Sequence, residues 1–390
     1  YSLSYIRVLY AMWLVRTVLS YLLTYRKSLL IADQKEYIAS ITGLILNVVS
    51  YLAIILLVTW EQNYLLALGI GTVTEVVLNI WISWYVEQKY PFLRQRRKEK
   101  STSSLTKRIV RDLKSLFISR ISEKMLYCTD NLIISGFIGV GTVGRYANYC
   151  MITQAISNIL TILANTIQPT VGDYFTEKNR QRNYEILRQL TFGFFCIASV
   201  VSVGLFSLIT PFVRDIWLGP SYELGWGITV FCIVVLLVRI MGLPLSLVMG
   251  VTGLFEKEKN VGASSALLNL IVSLALVKPY GMAGVLLGTL LSYLLQILYR
   301  YIIYFRDFLE MPGEALRYAQ DIGEYLAVIA GEVLLMQKIV PLIYGAGGML
   351  LFCVCFLLCI AIPLLLDLVI FGRGWRLQSI VTMVKGMRKA

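Results

Sequence analysis

Five basic side chains stand within long apolar stretches of this sequence: Arg7, Arg16, Arg120, Lys124 and Arg239. A charge inside an apolar helix is costly enough to indicate a functional role. The planar guanidinium of arginine also binds phosphate oxygens through two hydrogen bonds at once. Four of the five are therefore predicted to line a site for an anionic group: Arg16, Arg239, Arg120 and Lys124.

Each of these cations also has a structural interpretation. Arg16 could pair with a carboxylate on a part of the protein that precedes Tyr1. Arg239 could form a buried ion pair or extend its head towards the membrane surface, and Arg120 and Lys124 could reach lipid headgroups in the same way.

Three carboxylates lie inside the predicted core spans and are candidates for ion pairing or for coupling to an ion: Glu75, Glu123 and Asp130. An unpaired carboxylate in a membrane would be held protonated, as a proton-coupled cycle requires. A hydrogen-bonded structural glutamate is the alternative at Glu75, and Asp130 could instead pair with Lys124. Four amides are candidates for a polar cavity lining, with hydrogen bonding between helices as the alternative: Asn47, Asn79, Asn148 and Asn269.

The absence of histidine excludes whole classes of chemistry. Histidine-based zinc sites, Ser-His-Asp catalysis and imidazole proton relays all need a residue type that this sequence lacks. The seven cysteines lie in apolar runs without paired spacing. No metal site and no cofactor are predicted, and proton or sodium coupling stays open.

The elements that must position these residues are membrane-spanning helices. The chain has 390 residues that are 57% hydrophobic and 15% charged, whereas a soluble domain is about 45–50% apolar and about 25% charged. A spanning helix needs about 20 mostly apolar residues. Eleven such runs occur, at 3–24, 39–60, 64–86, 117–138, 146–171, 190–212, 226–250, 261–277, 282–304, 322–343 and 347–371.

The charges between these spans indicate the orientation of the chain. Lys and Arg accumulate in cytoplasmic loops, and alternate loops here hold 27 basic residues against four in the opposite set. The C-terminus is thus predicted to be cytoplasmic. The basic residues, which give a net charge of +13, are spread over six loops rather than one surface. They therefore indicate contact with anionic lipids and not with nucleic acid.

A weak internal repeat relates two parts of the sequence. Lys35-Glu36 and Leu46-Asn47 recur as Lys257-Glu258 and Leu268-Asn269 at a constant offset of 222 residues. The same offset brings Arg239 next to Arg16, at Thr17. Two lobes of parallel topology follow, an arrangement typical of transporters with a site between the repeats. The repeat also predicts that roughly 105 residues precede Tyr1, so that the intact protein would have about fourteen spans.

Several short stretches, in order and spacing, resemble bacterial polysaccharide transporters, the O-antigen and capsule-unit flippases of the multidrug, oligosaccharidyl-lipid and polysaccharide exporter superfamily. They are Tyr25-Arg-Lys-Ser-Leu-Leu-Ile-Ala-Asp-Gln-Lys-Glu-Tyr37, Asp130-Asn-Leu-Ile-Ile-Ser135, Val143-Gly-Arg-Tyr146, Trp217-Leu-Gly219 and Tyr280-Gly-Met-Ala-Gly284. The resemblance implies an all-α integral membrane protein with two pseudo-repeated, MATE-like helical lobes around a cavity. Its implied activity is to flip an undecaprenyl-pyrophosphate-linked oligosaccharide outward across a bacterial inner membrane, with polymerase or export machinery as an expected partner.

Two other functions are weighed against this one. A cation-coupled drug exporter of the same superfamily would prefer a cavity lined by carboxylates, whereas cations outnumber carboxylates inside the core spans. A membrane glycosyltransferase or polymerase would need a sizeable outer loop with catalytic groups. The longest outer loop, 213–225, holds only Arg214, Asp215 and Glu223.

The predicted division of the chain follows the spans and loops. It comprises the end of the N-terminal lobe (1–93), a basic cytoplasmic linker (94–116), a six-span C-terminal lobe (117–305), a cytoplasmic loop (306–321), two additional spans (322–371) and a basic tail (372–390).

Overall fold

The computed structural model describes residues 3–22, 24–33, 35–61, 64–94, 128–175, 179–345 and 347–372, and these form helices joined by short turns. The chain divides into two compact units, Tyr1–Ser103 and Ser104–Ala390. The division falls inside the predicted linker 94–116, which lies largely outside the described residues. The predicted all-α membrane fold is confirmed.

The described residues of unit 1 form four α-helices: α1 (Leu3–Leu22), α2 (Thr24–Ala32), α3 (Glu36–Glu61) and α4 (Tyr64–Lys89). Its small core consists of Leu30, Ala39, Ile82 and Val86, which come from α2, α3 and α4. Most other apolar side chains of α1 and α3 are exposed, as expected for helices that face lipid or a partner helix.

Unit 2 contains eight helices among its described residues: α5 (128–137), α6 (Val140–Tyr174), α7 (Arg180–Pro211), α8 (Trp226–Val251), α9 (Phe255–Tyr280), α10 (Met282–Ile302), α11 (Pro312–Tyr344) and α12 (Met349–Phe371). Two of them continue as short π-helices, α7 over Phe212–Trp217 and α10 over Ile303–Leu309. The large core of this unit comes from α7, α8, α11 and α12 and includes an aromatic cluster of Phe192, Phe195, Tyr325 and Phe371.

Ten helices of the described residues are long and apolar enough to cross a membrane. Each overlaps one predicted span. The remaining prediction, 117–138, lies largely outside the described residues, which show a helix over 128–137. The chain is thus a multi-pass membrane protein.

Several helices extend beyond the predicted spans into polar sequence. α2 occupies much of the predicted loop 25–38, α4 continues to Lys89, three residues into the predicted loop 87–114, and α7 begins at Arg180 instead of 190. The loop prediction was wrong there because it followed hydropathy, whereas a helix can continue through polar residues once its backbone is hydrogen-bonded. At the start of α7 the side chain of Asn179 caps the helix by accepting from the Arg182 amide.

The predicted repeat corresponds to a recurring packing pattern. In unit 1, α4 packs against both α1 and α3, and in unit 2, α10 packs against both α8 and α9. Arg16 and Arg239 stand at the same position counted from the first residue of α1 and α8. The two cations are thus equivalent in their own units.

The contact between α9 and α10 is unusually close because of two glycines. A Cβ atom at Gly284 would lie 2.4 Å from the carbonyl oxygen of Leu276, and one at Gly288 would lie 2.4 Å from Ser273 Oγ. Small residues four apart let helix backbones approach in membranes. This approach places polar side chains of the two helices in direct contact.

Candidate functional site

Four polar side chains follow one face of α4 at intervals of four residues: Glu75, Asn79, Ser83 and Glu87. Residues four apart lie on the same side of a helix. This face of α4 meets α1 and α2, so the stripe forms a polar seam within unit 1. We call these four residues and their partners the α4 seam.

Arg16 of α1 occupies one position of the α4 seam. Its Nη2 atom lies 4.0 Å from Glu75 Oε1, and both side chains are 36% exposed. The guanidinium rests against Gly71, one turn before Glu75, where an added Cβ would lie 2.8 Å from Nη1. One turn further along, Asn79 Nδ2 donates to the Ser20 carbonyl at 3.5 Å. Arg16 thus has a carboxylate partner within this chain.

The α4 seam continues with Arg26, a cation within the predicted loop 25–38. Arg26 of α2 forms a hydrogen bond with Ser83 Oγ and an ion pair with Glu87. Sequence reasoning missed this pair because residues 25–38 were read as a loop. The four-residue spacing of Glu75, Asn79, Ser83 and Glu87 is the signal that could have found it.

A polar cluster lies at the end of α4 outside the candidate spans. The Asp33 carboxylate accepts from Lys35 Nζ at 2.5 Å and from the Tyr90 hydroxyl at 2.6 Å. The hydrogen bond from Lys35, then that from Tyr90, lowers the pKa of Asp33 below its usual 3.8. The same carboxylate raises the pKa of Lys35 and of Tyr90.

In unit 2, Asp130 is buried in a network of neutral side chains. Thr289 Oγ1 of α10 donates to Asp130 Oδ2 at 2.7 Å. The Asn269 Nδ2 amide of α9 lies 3.4 Å from Asp130 Oδ1 and 2.9 Å from Thr289 Oγ1. Asp130 is 5% exposed and Asn269 is fully buried. Among the described residues no lysine or arginine pairs with Asp130, and its predicted partner Lys124 lies outside them.

The Asp130 network has spare acceptor capacity. The Asn269 amide nitrogen donates to Asp130 and to Thr289. Its Oδ1 oxygen has no hydrogen-bond partner among the described residues. An amide oxygen, a carboxylate and a hydroxyl are the hard ligands that small cations take, and a buried carboxylate can equally hold a proton. The residues could therefore hold either a proton or a small monovalent cation. No group of three or more His, Cys, Asp or Glu side chains occurs in the described part of the chain.

The other predicted site residues are not gathered into this network. Arg239 lies half-buried on α8, Asn47 is exposed on α3, and Asn148 donates to the Gly144 carbonyl of its own helix at 2.9 Å. Arg120, Glu123 and Lys124 lie outside the described residues. Their roles, like those of Arg16 and Arg239, stay predictions.

Comparison with known proteins identifies the fold. Residues 1–175 match the sequence profile of a family described as "Polysaccharide biosynthesis protein". No match is found among curated protein sequences. A solved structure titled "Lipid II flippase MurJ, inward closed conformation" superimposes with a TM-score of 0.61 and 16% sequence identity, over 89% of this chain and 70% of that one.

The chain therefore shares the fold of that solved structure, and its residues 1–175 resemble the polysaccharide-biosynthesis family. Both findings agree with the resemblance that the short sequence stretches indicated.

Proposed function

We propose that this protein is a flippase that moves undecaprenyl-pyrophosphate-linked oligosaccharide units from the cytoplasmic to the outer leaflet of a bacterial inner membrane, for assembly of a surface polysaccharide such as O-antigen, capsule or exopolysaccharide. The observation that supports it is the coincidence of a polysaccharide-biosynthesis match over residues 1–175 with a lipid-flippase fold over 89% of the chain.

Flipping breaks no covalent bond, but it needs cations that replace the hydration of the pyrophosphate. Arg16 and Arg239 are proposed to do this, one in each unit. Glu75 approaches Arg16 at 4.0 Å through one nitrogen only, and a guanidinium has five N–H donors. Glu75 would therefore orient the fork of Arg16 while leaving other donors for phosphate oxygens.

The Asp130 network is proposed to couple transport to a proton or sodium ion. It joins α5, α9 and α10 through one buried carboxylate. Binding or release of a cation at such a site changes the charge between three helices. A ligand shifts the equilibrium between two conformations by the difference in its affinity for them. Alternating access of the two units would follow from that shift. Anionic lipids at the basic loops and the polysaccharide polymerase are the proposed partners.

The test is to delete the gene and measure lipid-linked oligosaccharides on each leaflet. Complementation would use the full-length protein as wild type, Arg16→Ala or Arg239→Ala, with Arg145→Ala as the matched control because Arg145 is an exposed cation outside the apolar runs. We expect units to accumulate inside and only wild type and the control to clear them. Units that reach the outer leaflet unpolymerised would instead indicate an enzyme acting after flipping. Normal distribution with drug sensitivity would indicate a drug exporter.

A further inference from the structure

A second set of buried carboxylates lies far along the chain from the Asp130 network, where α7, α11 and α12 meet. Glu332 of α11 and Asp367 of α12 are each 3% exposed. Ser199 of α7 donates to Glu332 Oε2 at 2.6 Å. The remaining three carboxylate oxygens, Glu332 Oε1 and both of Asp367, have no hydrogen-bond partner among the described residues.

These carboxylates lie close together and have no cation beside them. Asp367 interacts electrostatically with Glu332 and lies close to Ser199, and Cys196 is the other titratable side chain that interacts with both acids. No lysine or arginine of the described chain forms an ion pair with either carboxylate.

Elsewhere along the contact of α7 with α11, a buried carboxylate is paired with an arginine. Arg188 of α7 binds Asp321 of α11 with two hydrogen bonds of 2.6 and 2.9 Å. Arg188–Asp321 and Ser199–Glu332 have the same sequence separation of 133 residues, so both lie along one parallel contact of α7 with α11. Asp321 is thus compensated by an arginine. Glu332, further along the same contact, has only a serine and another acid beside it.

Two neighbouring buried carboxylates cannot both be ionised without a compensating charge, because desolvation and mutual repulsion both disfavour that state. One proton between them removes one charge and lets a carboxyl O–H donate to a free carboxylate oxygen. We propose that Glu332 and Asp367 form a proton-binding site supported by Ser199.

A pocket lies further along α7 and α11 from this site, and we propose it as the access route. It has a volume of about 300 Å³, and its polar lining is Ser207, Thr210, Glu223 and Gln337. Gln337 is five residues beyond Glu332 on α11, about 7.5 Å along the axis at 1.5 Å per residue. The buried Ser207 hydroxyl, without a hydrogen-bond partner, lies two turns beyond Ser199 on α7. The pocket borders the predicted outer loop, so protons would enter from the outer face.

Infrared difference spectroscopy of the full chain in nanodiscs tests the proposal, because a protonated carboxyl group has a C=O band separate from carboxylate bands. The Asp130→Asn background removes the other buried acid that has no arginine or lysine beside it among the described residues. We expect a carboxyl band at neutral pH that Glu332→Gln and Asp367→Asn each abolish. Glu185→Gln, on the exposed side of α7, should leave the band unchanged. Spectra of E332Q and D367N that superimpose on the background would overturn the proposal.

Three further measurements do not depend on those variants folding. Ser199→Ala removes the donor that hydrogen-bonds Glu332 Oε2, so the midpoint of the band's pH titration should shift from that of wild type; an unchanged midpoint counts against the site. Loss of the band with sodium chloride but not with choline chloride would assign the pair to sodium and overturn proton binding. Gln337→Leu should slow hydrogen–deuterium exchange of the band several-fold, and an unchanged rate would refute the pocket as the route. None of these readouts requires the chain to flip a lipid.

Discussion

The two units differ in how they compensate the acidic side chains of their helices. In unit 1, Glu75 and Glu87 of the α4 seam face Arg16 and Arg26, and the carboxylates are each 36% exposed. In unit 2, Asp321 has an arginine beside it, but Asp130, Glu332 and Asp367 are almost fully buried with only neutral hydrogen-bond donors beside them. A partly hydrated acid can remain charged beside a cation, whereas a buried acid without a cation favours binding a proton or an ion. Under the proposed function, coupling therefore belongs to unit 2, while each unit supplies one anion-binding cation.

The largest effect is expected from widening the α9–α10 contact that holds the Asp130 network together. Gly288→Val places side-chain atoms where Ser273 Oγ and the Asn269 carbonyl already lie, and overpacking costs about 1–3 kcal/mol or more. Thermal melting in detergent should show loss of most of the folded protein. Gly331→Ala on α11, where an added Cβ meets nothing within 4 Å, is the control and should be neutral or slightly stabilising. Equal tolerance of both changes would contradict the close contact.

Removing one donor from Asp130 should have the next largest effect. Thr289→Val keeps the side-chain shape but leaves Asp130 with only the long contact to Asn269, and an unsatisfied buried acceptor costs about 1–3 kcal/mol. Thr289→Ser retains the hydroxyl and should stay near wild type in both melting temperature and transport. If T289V and T289S behaved alike, the hydroxyl would not support Asp130.

A double-mutant cycle at Arg16 and Glu75 would measure how much this partly exposed ion pair of unit 1 contributes to stability. Both side chains are 36% exposed, and exposed ion pairs are worth about 0.2–1 kcal/mol. Chemical denaturation of wild type, Arg16→Gln, Glu75→Gln and the double variant should give a coupling energy in that range. Arg16→Gln should reduce transport strongly while it lowers the free energy of unfolding only slightly. A coupling energy of several kcal/mol would make the pair structural and remove the contrast between the units.

The smallest effect is expected at the end of α4, where Asp33 is hydrogen-bonded to Lys35 and Tyr90. Because its folded pKa is lowered below 3.8, its contribution to stability is present above pH 3.8 and is lost as the pH falls through the lower folded value. Asp33→Asn should therefore flatten the acid limb of the melting temperature below about pH 4 and change nothing near neutral pH. Glu185→Gln, at an exposed position of α7, gives a comparison. An equal acid limb in wild type and D33N would show that the cluster contributes nothing.

Much of the architecture could be predicted from hydropathy and charge. Runs of apolar residues predicted the ten spans that the structure describes. The offset of 222 residues predicted that α1 corresponds to α8. The ends of the helices were less predictable. α2, α4 and α7 continue through polar sequence because backbone hydrogen bonding and contacts such as Arg26–Glu87 sustain a helix beyond its apolar run.

The sequence by itself determined the composition of the candidate site: it has no histidine, and Arg16, Arg239, Glu75 and Asp130 stand in apolar runs where charge is costly. Only the tertiary structure decided which of them have partners. Arg16 meets Glu75, Asp130 meets Thr289 and Asn269, and Glu332 meets Ser199 and Asp367. Those pairings join residues far apart in the chain, and helix packing, which no local pattern encodes, sets both the contact and the burial that gives each carboxylate its chemistry.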